Sequence, residues 1–297
     1  MLKVKNISKS YGSNLAVDNL SFTVKDGEIF GLLGANGAGK TTTFRIIMGL
    51  LEADNGTVTL DDKKIDYTVT DKIGFVTEER SLLTKMTVKD QIVYYGILKG
   101  MREEVVLERL DEWLKKFKIE EYKNRKIKEL SKGNQQKIQF ISAVINEPKL
   151  LILDEPFTGL DPINVEMFKQ AIYELQKKGC SIIFSSHQME HIEMFCEKLI
   201  ILVKGKVVLE GYLKDIKKEY RKKNIHIIGD IDIEKIKSID GVIKVEKLAN
   251  EYEVKIKDEE VVDSVFKSIS KNKITKFVVE EPTLNEIFIS KVGEKYE

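Results

Sequence analysis

Cysteine, proline, histidine and tryptophan are all scarce in this 297-residue chain, with two, four, three and one of each. Two cysteines, Cys180 and Cys196, cannot build the disulfide framework of a secreted protein and point instead to a reduced, cytosolic setting. Long apolar runs are missing too. The longest, "LLIL" at 150–153 and "LIILV" at 199–203, have the length of buried strands and fall far short of the roughly 18 residues that cross a bilayer. The opening "MLKVKNISKSYG" lacks the apolar centre of a secretory signal. A charge excess is absent as well: 49 basic residues against 48 acidic ones leave +1, which argues against a nucleic-acid-binding surface. No internal repeat, low-complexity tract or heptad run is evident. What remains is a globular chain, long enough for one large domain or two ordinary ones, that would reach a membrane only through a partner.

What is present is strand–helix alternation. Strands are expected at 2–8, 20–24 and 28–33, the last running into a glycine-rich loop and a helix that begins near 41. "GTVTL" and "KIGFVTEE" read as further strands. From 84 to 146 the spacing is helical throughout, an all-helical insert. Strand "LLILD", a helix over 162–178, strand "SIIFSS", helix "QMEHIEMFCEKL" and strand "IILVKGK" follow. This order implies an α/β core with parallel strands over 1–215. A basic stretch then suggests a linker at 216–224, and 225–297 reads as a small α+β domain in βαββαβ order, the ferredoxin-like arrangement. Its last helix starts at Thr283 with Glu286 three residues on, a capping box.

Gly34, Gly39, Lys40 and Thr41 fit G-x-x-x-x-G-K-[ST], between a buried strand and a helix. With Asn36, Gly37, Ala38 and Thr42 they form a loop whose backbone N–H groups can face one oxyanion at the positive end of a helix dipole. Lys40 would reach β- and γ-phosphates, and the Thr41 hydroxyl would bind Mg²⁺. "LLILDEP" ends a buried strand on two carboxylates: Asp154 is placed to hold Mg²⁺, and Glu155 to take a proton from an attacking water. "LSKGNQQK" at 130–137 puts Ser131 at a helix N-cap and Gly133 where backbone could approach a phosphate, an anion site suited to the nucleotide of another copy.

Over about 1–215 the chain resembles the ATP-binding cassette (ABC) transporter ATPases. The motifs that carry the likeness are "GANGAGKTT" (Walker A), "LSKGNQQK" (signature), "LLILDEP" (Walker B), "TGLDP" (D-loop) and "SSH" (switch histidine). The resemblance implies a P-loop core with a mixed sheet and a helical subdomain. It also implies that Tyr11 stacks on adenine, that His187 contacts the γ-phosphate, and that Asp161 lies near the opposing subunit. Two positions depart from the family pattern. The signature reads Leu130, Ser131, Lys132, Gly133, Asn134 instead of L-S-G-G-Q, and the glutamine of the Q-loop falls on Glu78, a carboxylate that can still meet Mg²⁺. "SKGNQQK", "EER" and the C-terminal "EPTLNEIFISKVG" are similar to a bacterial subgroup with sodium-export, bacitracin-resistance and peptide-export members. The partners implied are a separate transmembrane permease and a second ATPase subunit, with no nucleic acid. The expected place is the inner face of the cell membrane. A P-loop kinase would need neither "LSKGNQQK" nor "TGLDP". A soluble cassette acting on ribosomes or DNA, and a binding module in which Glu78 and Lys132 blunt hydrolysis, stand as alternatives.

Overall fold

A computed structural model describes residues 1–66, 69–220 and 223–296. They divide into two compact units, Met1–Glu210 and Gly211–Glu297.

In the first unit β1 (Leu2–Tyr11) and β2 (Asn14–Val24) form an antiparallel hairpin. β3 (Ile29–Leu33) is buried at every position and leads into α1 (Lys40–Ile47). β4 (Asn55–Leu60), the two-residue β5 (Lys63–Lys64) and β6 (Ile73–Val76) follow. The helices α2 (Val88–Leu98), α3 (Glu103–Phe117) and α4 (Lys132–Val144) come next. Then β7 (Leu150–Asp154), α5 (Pro162–Lys177), β8 (Ser181–Ser185), α6 (Met189–Phe195), β9 (Lys198–Val203) and β10 (Lys206–Tyr212) alternate.

One sheet has the order β2-β1-β4-β5 and is antiparallel; the other, six-stranded, has the order β10-β9-β3-β8-β7-β6. Within it β9, β3, β8, β7 and β6 run parallel. Parallel strands covered on both faces must be apolar at nearly every residue, which is why "LLIL" and "IIF" read as unbroken runs rather than alternations. One core holds side chains of both sheets and of α1, including Leu20, Phe22, Phe30, Phe44, Ile152 and Ile183. The Phe22 and Phe30 rings stack at 4.9 Å.

Gly74 on β6 shows how tightly α4 lies on the sheet. A methyl group there would sit 2.3 Å from the Ala143 carbonyl oxygen and 3.0 Å from Leu151. Backbone cannot rotate away as a side chain can. Gly74→Ala should therefore lower unfolding free energy by about 1–3 kcal/mol, read as a lower urea midpoint at an unchanged slope. An unchanged midpoint would mean that the helix has room to shift.

The second unit contains α7 (Leu213–Glu219), β11 (Lys223–Gly229), α8 (Ile233–Lys237), β12 (Val242–Lys247), β13 (Tyr252–Ile256), α9 (Val261–Ile269), β14 (Ile274–Glu280) and α10 (Leu284–Tyr296). Its sheet is antiparallel in the order β12-β13-β11-β14, the split-βαβ pattern. Ile225, Ile227, Val254, Ile256, Val265 and Ile269 fill its core. At the head of α10 the capping box closes: the Glu286 N–H donates to Thr283 Oγ1 at 3.2 Å and the Thr283 N–H to Glu286 Oε2 at 3.0 Å. The stretch expected as a linker over 216–224 is largely regular structure. Helix α7 occupies its start and β11 begins at Lys223, because Ile216 is buried and anchors the otherwise basic segment. Arg221 and Lys222 lie outside the described residues.

Candidate active site

Parallel strands deliver their C-terminal ends to one edge of a sheet, and four such ends carry the residues singled out above. β3 opens into the 34–39 loop, β6 into Thr77–Glu79, β7 into Asp154 and Glu155, and β8 into Ser185, Ser186 and His187. A cavity of about 410 Å³ lies there, lined by Tyr11, Asn14, Ala16, loop residues 35–42, Glu78, Asp154 and Glu155. Tyr11 is exposed at the end of β1.

Gly39 is the N-cap of α1, with φ of 105°, and a methyl there would lie 2.4 Å from the Ala16 carbonyl oxygen. Only glycine accepts both the dihedral and the contact. No side chain caps this helix end, so its first-turn N–H groups are left for an anion. Lys40 is buried, and its ammonium donates to the Gly34 carbonyl at 2.5 Å and the Ala35 carbonyl at 3.4 Å.

Asp154 and Glu155 are adjacent, yet differently held. Asp154 Oδ1 accepts from the Ser185 hydroxyl at 2.5 Å. Burial pushes the Asp154 carboxyl above the usual carboxylate range; the Ser185 hydrogen bond and Lys40 pull it back, while Glu155 and Glu78 add to the rise. Glu155 has a left-handed backbone, φ 49°, a conformation that costs a non-glycine residue of order 1–3 kcal/mol and persists where its surroundings enforce it. Here the Glu155 N–H donates to the Ser185 carbonyl at 3.1 Å, fixing the kink to the neighbouring strand. Its carboxylate accepts from the His187 N–H at 2.6 Å and from the Ser186 hydroxyl at 3.3 Å, and it lies 2.9 Å from His187 Nδ1. His187 itself is 56% exposed. Glu78, Asp154 and Glu155 thus set three carboxylates against one ammonium, a donor set suited to a cation that arrives with a polyphosphate. Among the described residues no group of three or more His, Cys, Asp or Glu is placed to hold a metal ion.

Ser131, Gly133 and Asp161 do not line this cavity. The structure gathers them elsewhere: Ser131 caps α4 through the Asn134 N–H at 3.3 Å, and Asp161 caps α5 through the Asn164 N–H at 2.9 Å. Gly133 adjoins both Asn164 and Leu160; a methyl added there would meet the nearest atom at 3.5 Å, ordinary contact. Among the described residues nothing requires glycine at that position. Lys132 is exposed at the first turn of α4. His191 packs edge-on to Phe157 at 5.0 Å, and burial lowers its pKa, as for a core histidine. Burial likewise pushes the Cys180 thiol up to about 12, leaving it inert at neutral pH.

Sequence reading missed Asn14 and Ala16, which stand in a polar segment, and Ser185, whose clue was a hydroxyl ending an apolar strand beside "LLILD". It also missed Gln139, a polar residue on the buried face of α4.

A family model described as "ABC transporter" matches residues 17–158, and one described as "ATP-binding protein DrrA1-3-like, C-terminal domain" matches 211–292. The uncharacterized ABC transporter ATP-binding protein YhaQ of Bacillus subtilis is 48% identical over 298 residues, covering 100% of both chains. The Nod factor export ATP-binding protein I of Sinorhizobium fredii is 34% identical over 213 residues, 71% of this chain and 62% of that one. Among solved structures, the dimeric post-hydrolysis state of the cassette MJ0796 bound to ADP and Pi superposes with a TM-score of 0.66 at 30% identity, covering 72% of this chain and 99% of that one.

Proposed function

The chain belongs to the ATP-binding subunits of ABC transporters, a family of ATPases, and from that premise we propose that it works as one half of an ATP-gated pair that drives a separate membrane permease, in the export direction. Tyr11 stacks on the adenine. The 34–42 loop and Lys40 hold the phosphates. Thr41, Asp154 and Glu78 are the residues that would hold Mg²⁺, which when bound neutralises charge on the phosphate oxygens. Glu155 takes the proton of the attacking water, and its hydrogen bonds to His187 and Ser186 keep it aimed. His187, exposed beside it, meets the γ-phosphate. Ser131, Gly133 and Asp161 act on the nucleotide of the opposing protomer.

One observation carries the pairing: the phosphate-binding elements line a cavity that Ser131, Gly133 and Asp161 do not reach, while those three share one surface around the heads of α4 and α5. The dimeric ADP-bound relative supports the same reading. Export is supported by the relative named for Nod factor export. Among the described residues no helix is long and apolar enough to cross a membrane. Exposed Leu83, Tyr94, Ile97 and Leu98, on and before α2, offer an apolar patch to a permease at the inner face of the membrane.

Gly133→Asp tests the pairing without disturbing the fold. The added Cβ has room, and a carboxylate in the first turn of α4 suits the helix dipole. Against a partner's triphosphate the same charge is repulsive by several kcal/mol. We expect an unchanged melting temperature, unchanged ATP binding by the monomer, and turnover reduced at least ~100-fold. Full turnover in this variant would rule out a shared nucleotide.

A further inference from the structure

Gln139 is polar, 3% exposed, and sits on the face of α4 that packs against the sheet. Its amide nitrogen donates to the Thr77 hydroxyl at 2.8 Å and the Thr77 carbonyl at 3.0 Å, and lies 3.4 Å from the Glu79 carbonyl. The Thr77 hydroxyl in turn donates to the Glu79 carbonyl. Every neighbour on this side is an acceptor, so the nitrogen must face it. The other end of the amide, Oε1, is buried and has no partner among the described residues. An unpaired buried carbonyl weakens a fold, and a leucine of similar volume would avoid that loss. The amide thus serves its donors: it pins the backbone on both sides of Glu78, and Glu78 lines the nucleotide cavity.

We propose that Gln139 is a positioning residue, which holds Glu78 at the cavity wall and ties it to the helix whose head carries Ser131. The clasp makes Glu78 and the signature end of α4 parts of one rigid body. A shift of Glu78 toward bound nucleotide would pull on α4, about two turns from the surface offered to the opposite protomer. Gln136 reinforces the connection, donating from the same helix to the Pro156 carbonyl at 3.3 Å, just past Glu155. This inference rests on the reading of the cavity as the ATP site.

Gln139→Leu removes the donors and the orphaned oxygen together. The melting temperature should stay level or rise. The Mg²⁺ concentration giving half-maximal ATP binding, measured by calorimetry, should rise about fivefold, and kcat should fall about tenfold, while ATP binding in EDTA stays as in wild type. In a Glu78→Ala background the same substitution should change neither quantity further, since it acts through Glu78. Thr77→Val, which removes the hydroxyl from the other side of the clasp, should give the same phenotype in weaker form and serves if the leucine variant folds poorly. A leucine variant with wild-type Mg²⁺ dependence, or losses that multiply in the double variant, overturns the positioning role. A wild-type protein without Mg²⁺-dependent turnover overturns the ATP-site reading itself, and this inference with it.

Discussion

Lys40→Met should reduce ATP turnover by about 10²–10³-fold, the usual effect of deleting one preorganised donor from a site where negative charge develops. Lys40 is buried at the mouth of α1 and has, among the described residues, only the loop carbonyls of Gly34 and Ala35 as hydrogen-bond partners. Its ammonium makes no salt bridge among the described residues, although its charge reaches Asp154, and it is held beside a helix end that also favours anions. A phosphoryl oxygen would be a stronger acceptor than either carbonyl, so exchange of partners is downhill. Methionine keeps the length and packing of the aliphatic stem, and the fold should survive. Phosphate release by the purified variant, with circular dichroism as a folding control, decides the matter. A well-folded variant with turnover above a tenth of wild type would mean that the phosphates are held elsewhere.

Glu155→Gln should produce a different failure: hydrolysis lost by about 10²–10⁴-fold, the range for a general base, with ATP still bound. The substitution is conservative in geometry. The amide oxygen can accept from the His187 N–H as Oε1 does now, and the amide nitrogen can donate to the Ser186 hydroxyl or to His187 Nδ1. The left-handed backbone at 155 is no worse for glutamine than for glutamate. Only the basicity goes. With hydrolysis blocked, ATP should hold two protomers together, and a sizing column run in ATP and Mg²⁺ should show a dimer that collapses to monomer in ADP. A variant that stays monomeric at saturating ATP would contradict the proposed pair. Lys40→Met and Glu155→Gln thus separate binding from chemistry, the first lowering occupancy of the dimer and the second raising it.

How legible was all this in the sequence? The strand, loop and helix around 34–42 could be read because the glycine-loop pattern ties spacing, flanking strand and following helix together, and the place of Asp154 at a strand end because "LLIL" has few other uses. The antiparallel C-terminal sheet followed from the βαββαβ order of its elements. Other elements were hidden for physical reasons. Strand β2 begins at Asn14, well before the apolar residues at 20–24, because its first half is an exposed hairpin arm; the register shifts opposite it and the positive φ of Asn19 break the alternation. Helix α7 hid inside a basic stretch whose single buried anchor, Ile216, gives no periodicity to count. The strained backbone of Glu155 left no trace in residue type, since its cause is the Ser185 carbonyl on a neighbouring strand. Gln139 is a buried polar residue among the apolar ones of α4. Its partners lie 62 and 60 positions away, and no local pattern reports contacts at that separation.

Gly133 has one more consequence. The fold leaves room for a methyl group there and imposes no unusual dihedral, so a library of variants sorted by resistance to heat or protease would score alanine, serine and aspartate at this position as harmless. The same library sorted by transport would discard whichever of them obstructs or repels a neighbour's phosphates. Mismatch between two such rankings, taken position by position, would map any surface on which a second molecule acts without requiring the assembled complex to be isolated.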